Sequence, residues 1–189
     1  MYIYHTEDGH ILGMSRDNNM SYGVPFKVTW FNNPPVDVNY DLYLFNGAVF
    51  SENIPAFKEY QKNAIKDGYQ KYISSGYLCK LTNYYMDADI TDVLKLKSAR
   101  DLVMGIYPSD SDWSKVMTGI RDYNNVSHQI DLDTLWVLIR SVGLHYSEAL
   151  ARKSALQRQI DEADSVQDIV KVSWGFNFDI MLYQTLLAQ

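Results

Sequence analysis

One helical face stays apolar over about 30 consecutive residues, and this run constrains the fold more than any other feature of the sequence. Apolar side chains recur at every third or fourth position, which places them along one side of an α-helix. Asp131 or Asp133 stands where a side chain caps the start of a helix. We therefore predict one helix over residues 132–164, with apolar positions that include Leu135, Leu138, Ile139, Val142, Tyr146, Ala149, Leu150, Leu156, Ile160 and Ala163. Burial is expected at Leu135, Ile139, Val142, Leu156 and Ile160.

A shorter helix is predicted directly after the long one. Ser165 and Asp168 have the spacing of an N-cap residue and an acidic residue in the first turn. An apolar face continues over residues 166–174, and Gly175 then ends the helix. Two successive helices joined by a short turn predict a helical hairpin in this part of the chain.

The N-terminal part of the chain has the residue alternation of β-strands. Two dipeptides, Asp8-Gly9 and Asn46-Gly47, accept the positive φ angles of tight hairpin turns and have apolar residues on both sides. Asn32-Asn33-Pro34-Pro35 breaks the pattern, because Pro has no backbone N–H to donate. The predicted strands cover residues 2–4, 11–12, 27–31, 40–45 and 48–50.

Helices and strands alternate in the middle of the chain. Pro55 fits the first turn of a helix that continues to Ile73, although Gly68 inside it disfavours a helix by about 1 kcal/mol relative to Ala. Asp89, with Asp92 three residues later, caps a second helix that runs to about Met104. A short strand is predicted over residues 77–81, and a hairpin over residues 116–130 around Asn124-Asn125.

These elements predict an α+β fold in three segments. A small antiparallel β module occupies residues 1–54, because alternation gives way to helical spacing near Pro55. A mixed domain follows over residues 55–175, with a β-hairpin and a long C-terminal helix packed in a helical hairpin. Residues 176–189 form a C-terminal extension whose apolar side chains are either donated to a neighbouring chain or packed back on the long helix.

Charge and composition narrow the classes of function. The net charge of −6 disfavours nucleic-acid binding, which requires clustered Lys and Arg. Cys79 is the single cysteine, so an intrachain disulfide and a four-cysteine zinc site are excluded. No apolar run approaches the roughly 20 residues of a membrane helix, and the first residues lack a signal segment, so we expect a soluble, non-secreted protein. The 15 tyrosines suit half-buried strands and also broad protein-binding surfaces.

The histidines and Cys79 do not form a recognisable catalytic set. His5 and His10 lie on facing arms of the first predicted hairpin, so they could share a bound cation. We favour the interpretation that both are ordinary surface histidines. His145 lies one turn from Val142 on the long helix, which predicts a half-buried structural histidine. Cys79 shows no neighbouring base that would activate its thiol, so we interpret it as a small buried hydrophobic residue.

The acidic pairs also have structural explanations. Asp131 and Asp133 would suit a glycosidase pair, but their place before the long helix explains them as cap and dipole partners. Asp110 and Asp112 lack the Gly and the distal Glu of a calcium loop. The sequence contains neither HExxH, GxSxG nor GxGxxG, nor a phosphate loop ending in Gly-Lys-Ser/Thr. We therefore assign no catalytic, cofactor-binding or metal-binding residue, and expect neither enzymatic activity nor a cofactor.

Several segments occur in a recognisable order. The first is a Lys-bearing helix that opens with Phe57-Lys58-Glu59-Tyr60, followed by Gly76-Tyr77-Leu78-Cys79 and an aromatic-Asp segment over residues 84–89. Trp113 and the hairpin around Asn124-Asn125-Val126 come next. The last and most specific part is Leu156, Ile160, Ala163, Ser165, Asp168, Ile169, Val172 and Trp174. In this order the chain resembles a domain of unknown function found in bacteriophage tail-fibre and tail-fibre-assembly proteins.

The resemblance covers roughly two-thirds of the chain, from Phe57 to Trp174. Tyr4, Asp8, Gly9 and Ile11 are similar to the short β segment that precedes such domains, whereas the residues after Trp174 extend beyond the usual end of the family. The resemblance transfers no catalytic residue. It implies a non-enzymatic tail component or tail-fibre assembly chaperone, in the host cytoplasm during assembly or in the virion tail.

The expected partners are phage tail or tail-fibre proteins, with homo-oligomerisation as a further expectation and with neither nucleic acid nor membrane bound. Two alternatives remain open from the sequence. One is a hydrolase-type enzyme of unrecognised kind, using Asp131 and Asp133 or Cys79. The other is a prophage-derived interaction module.

Overall fold

In the computed structural model, residues 1–32, 34, 39–107 and 112–175 are described. These residues form short antiparallel strands and four α-helices, so the predicted α+β class is confirmed. The strands are β1 Tyr2–His5, β2 Ile11–Ser15, β3 Lys27–Trp30, β4 Tyr43–Phe45, β5 Phe50–Glu52, β6 Tyr77–Cys79, β7 Tyr84–Met86, β8 Met117–Arg121 and β9 Ser127–Asp131. The helices are α1 Ile54–Ser74, α2 Ile90–Ile106, α3 Leu132–Glu162 and α4 Val166–Lys171.

The chain divides into two compact units by contact density. The first contains Met1–Asn63 and Arg158–Ser173, and the second contains Ala64–Gln157 and the described residues from Trp174 on. The predicted segments 1–54 and 55–175 are defined by sequence pattern and stay a prediction. The predicted extension, residues 176–189, lies outside the described residues.

A three-stranded antiparallel sheet in the first unit has the order β2-β1-β3. The turn between β1 and β2 contains Gly9 at φ 92°, the left-handed region that Asp-Gly turns favour, so the first predicted hairpin is confirmed. The central strand is the most buried, with Ile3 and Tyr4 fully enclosed. This sheet therefore has β1 as its core and β2 and β3 as its neighbours.

The second predicted hairpin, β4 with β5, is also confirmed. The strand predicted over residues 40–45 is wrong at its start, because Tyr40–Leu42 form a short 3-10 helix capped by the Asn39 side chain. Its turn uses the Asn46 side chain, whose Oδ1 accepts hydrogen bonds from the N–H groups of Ala48 and Val49 at 2.9 Å each. Phe45 is fully buried, and its ring lies 4.8 Å from that of Phe50 and 5.6 Å from that of Phe31. Aromatic packing therefore forms much of the core of the first unit.

In the second unit, the hairpin β8–β9 lies where it was predicted, and a hairpin β6–β7 was missed. The strand predicted over residues 77–81 ends at Cys79, and the chain turns back through Asn83 at φ 60°. Asn tolerates this left-handed conformation better than most residues, so Asn83 was the one residue type here that indicated a turn. Tyr84–Met86, predicted only as part of an aromatic-Asp segment before α2, is therefore a strand.

The long helix α3 begins at Leu132 and ends at Glu162, so the predicted element is confirmed within two residues at its end. Asp131 rather than Asp133 caps it, because its Oδ1 accepts a hydrogen bond from the Thr134 N–H at 2.6 Å. Leu135, Val142, Leu156 and Ile160 are buried as predicted, whereas Ile139 is half-buried. Leu150, predicted on the apolar face, is exposed.

The short helix α4 ends at Lys171, three residues before the predicted end at Trp174. Its start is as predicted: the Ser165 hydroxyl accepts from the Asp168 N–H at 3.1 Å and donates to the Asp168 carboxylate at 2.7 Å. Trp174 instead belongs to the second unit, where it packs against α1. The backbone is extended at Val172, with φ −73° and ψ 113°, so the helix ends before Trp174.

Gly68 in the middle of α1 has a packing reason. A Cβ at this position would lie 2.5 Å from the Cβ of Trp174 and 2.6 Å from its Cγ. The indole lies on this glycine with its ring 6.0 Å from that of Tyr69 and 5.9 Å from that of Tyr72. The guanidinium of Arg152 covers the indole at 4.6 Å and donates to the Trp174 carbonyl oxygen at 2.9 Å. Glycine is therefore retained at a cost in helix propensity.

We predict that Gly68→Ala destabilises the protein by about 1–3 kcal/mol, because the added methyl group forces Trp174 away. The matched control is Gly143→Ala in α3, where a Cβ would meet Val93 at an ordinary 3.8 Å. That change should stabilise by about 0.5–1 kcal/mol through helix propensity alone. Urea unfolding followed by circular dichroism measures both. Equal effects of the two substitutions would contradict the packing role of Gly68.

Candidate functional site

The outer edge of β3 is a surface of the first unit that could bind another chain. Strand β3 pairs with β1 on one side, from Tyr2 opposite Trp30 to His5 opposite Lys27. Among the residues that the structure describes, no strand pairs with its other side. An unpaired strand edge offers a row of backbone donors and acceptors to an extended peptide.

The pairing of Met1 with Phe31 determines which backbone groups face that edge. The N-terminal amine donates to the Phe31 carbonyl oxygen at 2.8 Å, and the Phe31 N–H donates to the Met1 carbonyl oxygen at 2.9 Å. In an antiparallel ladder, such hydrogen-bonded pairs alternate with pairs whose backbone groups point outward. Thr29 therefore bonds to β1, whereas the N–H and C=O groups of Val28 and Trp30 point away from it.

The side chains of Val28 and Trp30 are exposed beside these outward backbone groups. Val28 is 38% exposed and Trp30 is 55% exposed. The Trp30 ring is held edge-on to Tyr2 at 4.8 Å, and its Nε1 donates to Asn32 Oδ1 at 2.9 Å. A fixed, exposed indole next to open backbone groups is the combination that strand addition uses for affinity and side-chain selection.

Further exposed apolar side chains precede the strand in sequence, at Met20, Val24 and Phe26. Phe26 lies 5.8 Å from the buried Tyr4 ring and 5.6 Å from Tyr22, so this segment is anchored on the sheet. The segment from Met20 to Trp30 thus presents exposed apolar side chains together with the open edge. The sequence indicated the alternation around Val28 and Trp30. Which of these backbone groups point away from β1 is known only from the hydrogen-bonded pair of Met1 and Phe31.

The two histidines of the first hairpin have separate structural environments. His5 is buried, and its Nε2 lies 3.1 Å from the Thr29 hydroxyl while its Nδ1 lies 3.0 Å from the Thr6 carbonyl oxygen. The interpretation of two surface histidines is therefore wrong for His5, whose burial is compensated by a polar partner at each ring nitrogen. His10 is exposed and lies 3.5 Å from the Asp8 carboxylate. Across the described ranges, no cluster of three or more His, Cys, Asp or Glu side chains is arranged to hold a metal ion.

Cys79 is fully buried at the end of β6, in the core of the second unit. Burial raises the pKa of its thiol, but hydrogen bonds with Thr82 and Ser141 outweigh that effect, so the pKa lies below its ordinary value. A nucleophile must also be reachable by substrate and be positioned near a base. Since Cys79 is inaccessible to solvent, its surroundings are those of a core residue.

His145 stacks between two tyrosines in the second unit. Its ring centroid lies 4.9 Å from that of Tyr72 and 4.5 Å from that of Tyr77, both at an interplanar angle of 28°. Its Nδ1 is 3.4 Å from the Tyr72 hydroxyl, and its Nε2 is buried with no hydrogen-bond partner among the described residues. Burial lowers the pKa of His145, because a protonated ring would be poorly solvated here.

The acidic candidates lie apart from these residues and serve local structure. The hydrogen bond from the Thr134 backbone N–H holds the pKa of Asp131 below its ordinary value, and Asp133 is exposed in the first turn of α3. Asp112 interacts with Lys115 at 2.6 Å. Asp110 lies outside the described residues. The structure therefore uses Asp131 as a cap. Asp131 also lines a cavity of about 280 Å³, but among the described residues of its lining there is no second carboxylate.

A polar cleft of about 310 Å³ lies between α2 and the β8–β9 hairpin. Its walls include Asp87, Asp92, Lys95, Arg121 and Asp122. Most of these charges have partners: Asp92 pairs with Lys95 at 2.6 Å, and Asp122 accepts from two turn N–H groups at 2.9 Å each. Burial raises the pKa of Asp87. Asp122 also pairs with His128 at 2.9 Å, so the named partners account for Asp92, Lys95 and Asp122.

Comparison with known proteins gives no relative: no family model, curated protein or solved structure matches the chain. Within the described part of the chain, helices are too short or too polar to cross a membrane.

We predict that stability falls as pH decreases from about 6.5, the pKa of an unfolded histidine, because the unfolded chain binds a proton that the buried His145 resists. The stabilisation is complete above pH 6.5 and is lost toward the lowered folded pKa. His145→Phe preserves an aromatic ring between the tyrosines and should remove this part of the pH dependence.

The matched control is Leu144→Phe, which introduces the same ring at the exposed neighbour of His145 on α3, removes no titratable group and should leave the pH dependence as in the wild type. Thermal unfolding midpoints between pH 5 and pH 8 provide the measurement. A wild-type slope that persists unchanged in His145→Phe would mean that another group is responsible.

Proposed function

We propose that this protein is a non-enzymatic bacteriophage tail component or tail-fibre assembly factor that acts by binding another protein. The single observation that supports this most is the open edge of β3, where Val28 and Trp30 combine outward backbone groups with exposed apolar side chains. The partner is a tail or tail-fibre polypeptide that adds an extended strand to this edge.

The resemblance of residues 57–174 to tail-fibre-associated domains supports the choice of partner. The environments of Cys79, His145, Asp131 and Asp133 support a role without catalysis. Cys79 packs in the core and His145 stacks between aromatic rings. Asp131 caps α3, and Asp133 lies in its first turn.

We predict that Val28→Pro weakens binding to the tail-fibre polypeptide of the same genome by about tenfold or more. The substitution removes one outward N–H and places a ring where the added strand would lie. It leaves the β1–β3 ladder intact, since the Val28 N–H does not face β1, and edge strands tolerate proline. Co-purification and isothermal titration calorimetry with the purified fibre polypeptide measure the effect.

Val28→Ala is the matched control, because it shortens the same side chain and keeps the N–H. It should retain most of the affinity. A folded Val28→Pro variant that binds as tightly as the wild type would show that β3 is not the contact.

Mass spectrometry of purified particles then distinguishes a subunit of the virion from an assembly factor that departs.

A further inference from the structure

One side of α2 is exposed and apolar. Ile90 is 46% exposed, Leu94 53%, Leu102 67% and Ile106 68%. These residues follow one another at multiples of four, with Ser98 in the gap, so they form a continuous ridge along the helix. The opposite side of α2 contributes Leu96 and Val103 to the core of the second unit. The helix is therefore anchored by one face while a second apolar face remains in solvent.

The exposed face is symmetric about Ser98. Residues at equal distances before and after Ser98 match in kind: Leu94 with Leu102, and Ile90 with Ile106. Seven residues to either side of it lie Thr91 and Gly105, which are both small and exposed. In an α-helix these positions fall within about 160° of the circumference, centred on Ser98, given 100° per residue. Such a face is nearly unchanged when the helix is turned end to end about Ser98, so it can pack against an antiparallel copy of itself.

The charges on this face are complementary under the same symmetry. Lys95 lies three residues before Ser98, and Asp101 lies three residues after it. Within one chain, Lys95 contacts Asp92 at 2.6 Å and Asp101 contacts Arg100, and the side chains of Lys95 and Asp101 remain more than half exposed. When two such helices are placed antiparallel with their Ser98 residues opposed, Lys95 of each faces Asp101 of the other.

We propose that two copies of this protein associate through α2, antiparallel, about a twofold axis at Ser98. A twofold interface brings the same patch of both subunits together, so the patch must complement itself in shape and charge. The small residues Thr91, Ser98 and Gly105 let the helices approach closely. Leu94 of each helix then packs beside Leu102 of the other in a nearly antiparallel pair, which corresponds to a crossing angle of about 20°.

The size of the face sets the strength of the association. Stable interfaces bury about 800 Å² on each partner, more than one face of a single 17-residue helix supplies. The dimer is therefore reversible and concentration-dependent. It rests on residues of α2 alone and does not depend on the proposed tail function or on the edge of β3.

Disulfide trapping with Ser98→Cys tests the geometry in the full chain. Only a residue on the twofold axis meets its own copy at the distance that a disulfide requires. The native Cys79 is buried and does not compete. Mild oxidation of Ser98→Cys should give a covalent dimer, whereas the control Ser154→Cys, an exposed serine on α3, should not. Equal cross-linking of the two variants, or none in either, would overturn the proposal.

A charge exchange gives an independent test by sedimentation velocity over a range of concentrations. Lys95→Glu or Asp101→Lys alone should weaken the dimer by about tenfold, because each opposes like charges twice across the axis. The double variant should restore it. Circular dichroism checks that both helices and strands are retained.

An apolar control completes the set. Leu102→Glu on the ridge should abolish the dimer, and Leu144→Glu, at an equally exposed leucine of α3, should leave it unchanged. A wild-type chain that stays monomeric, or a dimer that survives Leu102→Glu, contradicts the assignment of this face. A dimer lost only on removal of residues 176–189 would assign the contact to that segment instead and also overturn it.

Discussion

The pairing of Met1 with Phe31 fixes the register of the N-terminal sheet, and the arrangement of the first unit depends on it. This register places Thr29 against His5 and Phe31 against the Phe45 ring. A slip of one residue would exchange the two faces of β3. Trp30 would then point into the aromatic core, and the backbone groups now directed outward would turn toward β1. The same interaction therefore builds the core and leaves the edge open.

The second unit differs from the first in that one of its helices, α2, has two apolar faces. Burial of Leu96 and Val103 holds α2 in place, while Leu94 and Leu102 remain exposed at some cost in solvation. Contiguous exposed apolar patches mark interaction surfaces, whereas single exposed apolar residues are common and carry no such meaning. An edge strand in one unit and a helix face in the other would give the protein two contacts of different physical character. Backbone hydrogen bonds dominate the first, and apolar packing with paired charges dominates the second.

Much of the fold was predictable because local signals agreed with the tertiary structure. The Asp131 and Ser165 caps and the apolar spacing of α3 predicted the helices within a few residues. Leu150 was predicted on the apolar face and is exposed, since periodicity alone does not show how far neighbouring elements cover a helix. The β6–β7 hairpin was missed because Asn83 is a weaker turn signal than Asn-Gly. Of the candidate site, the strand over residues 27–31 was predictable, but the outward direction of the Val28 and Trp30 backbone groups follows from a pairing thirty residues apart in sequence.

Amide hydrogen exchange measured by NMR tests the central claim, an open and usable β3 edge, most directly. In the free protein the Thr29 amide should exchange slowly, because it donates to β1, while the Val28 and Trp30 amides should exchange rapidly. Addition of the purified tail-fibre polypeptide should protect Val28 and Trp30 and leave Thr29 unchanged. Slow exchange at Val28 and Trp30 in the free protein, or rapid exchange at both with the fibre polypeptide bound, would contradict the account.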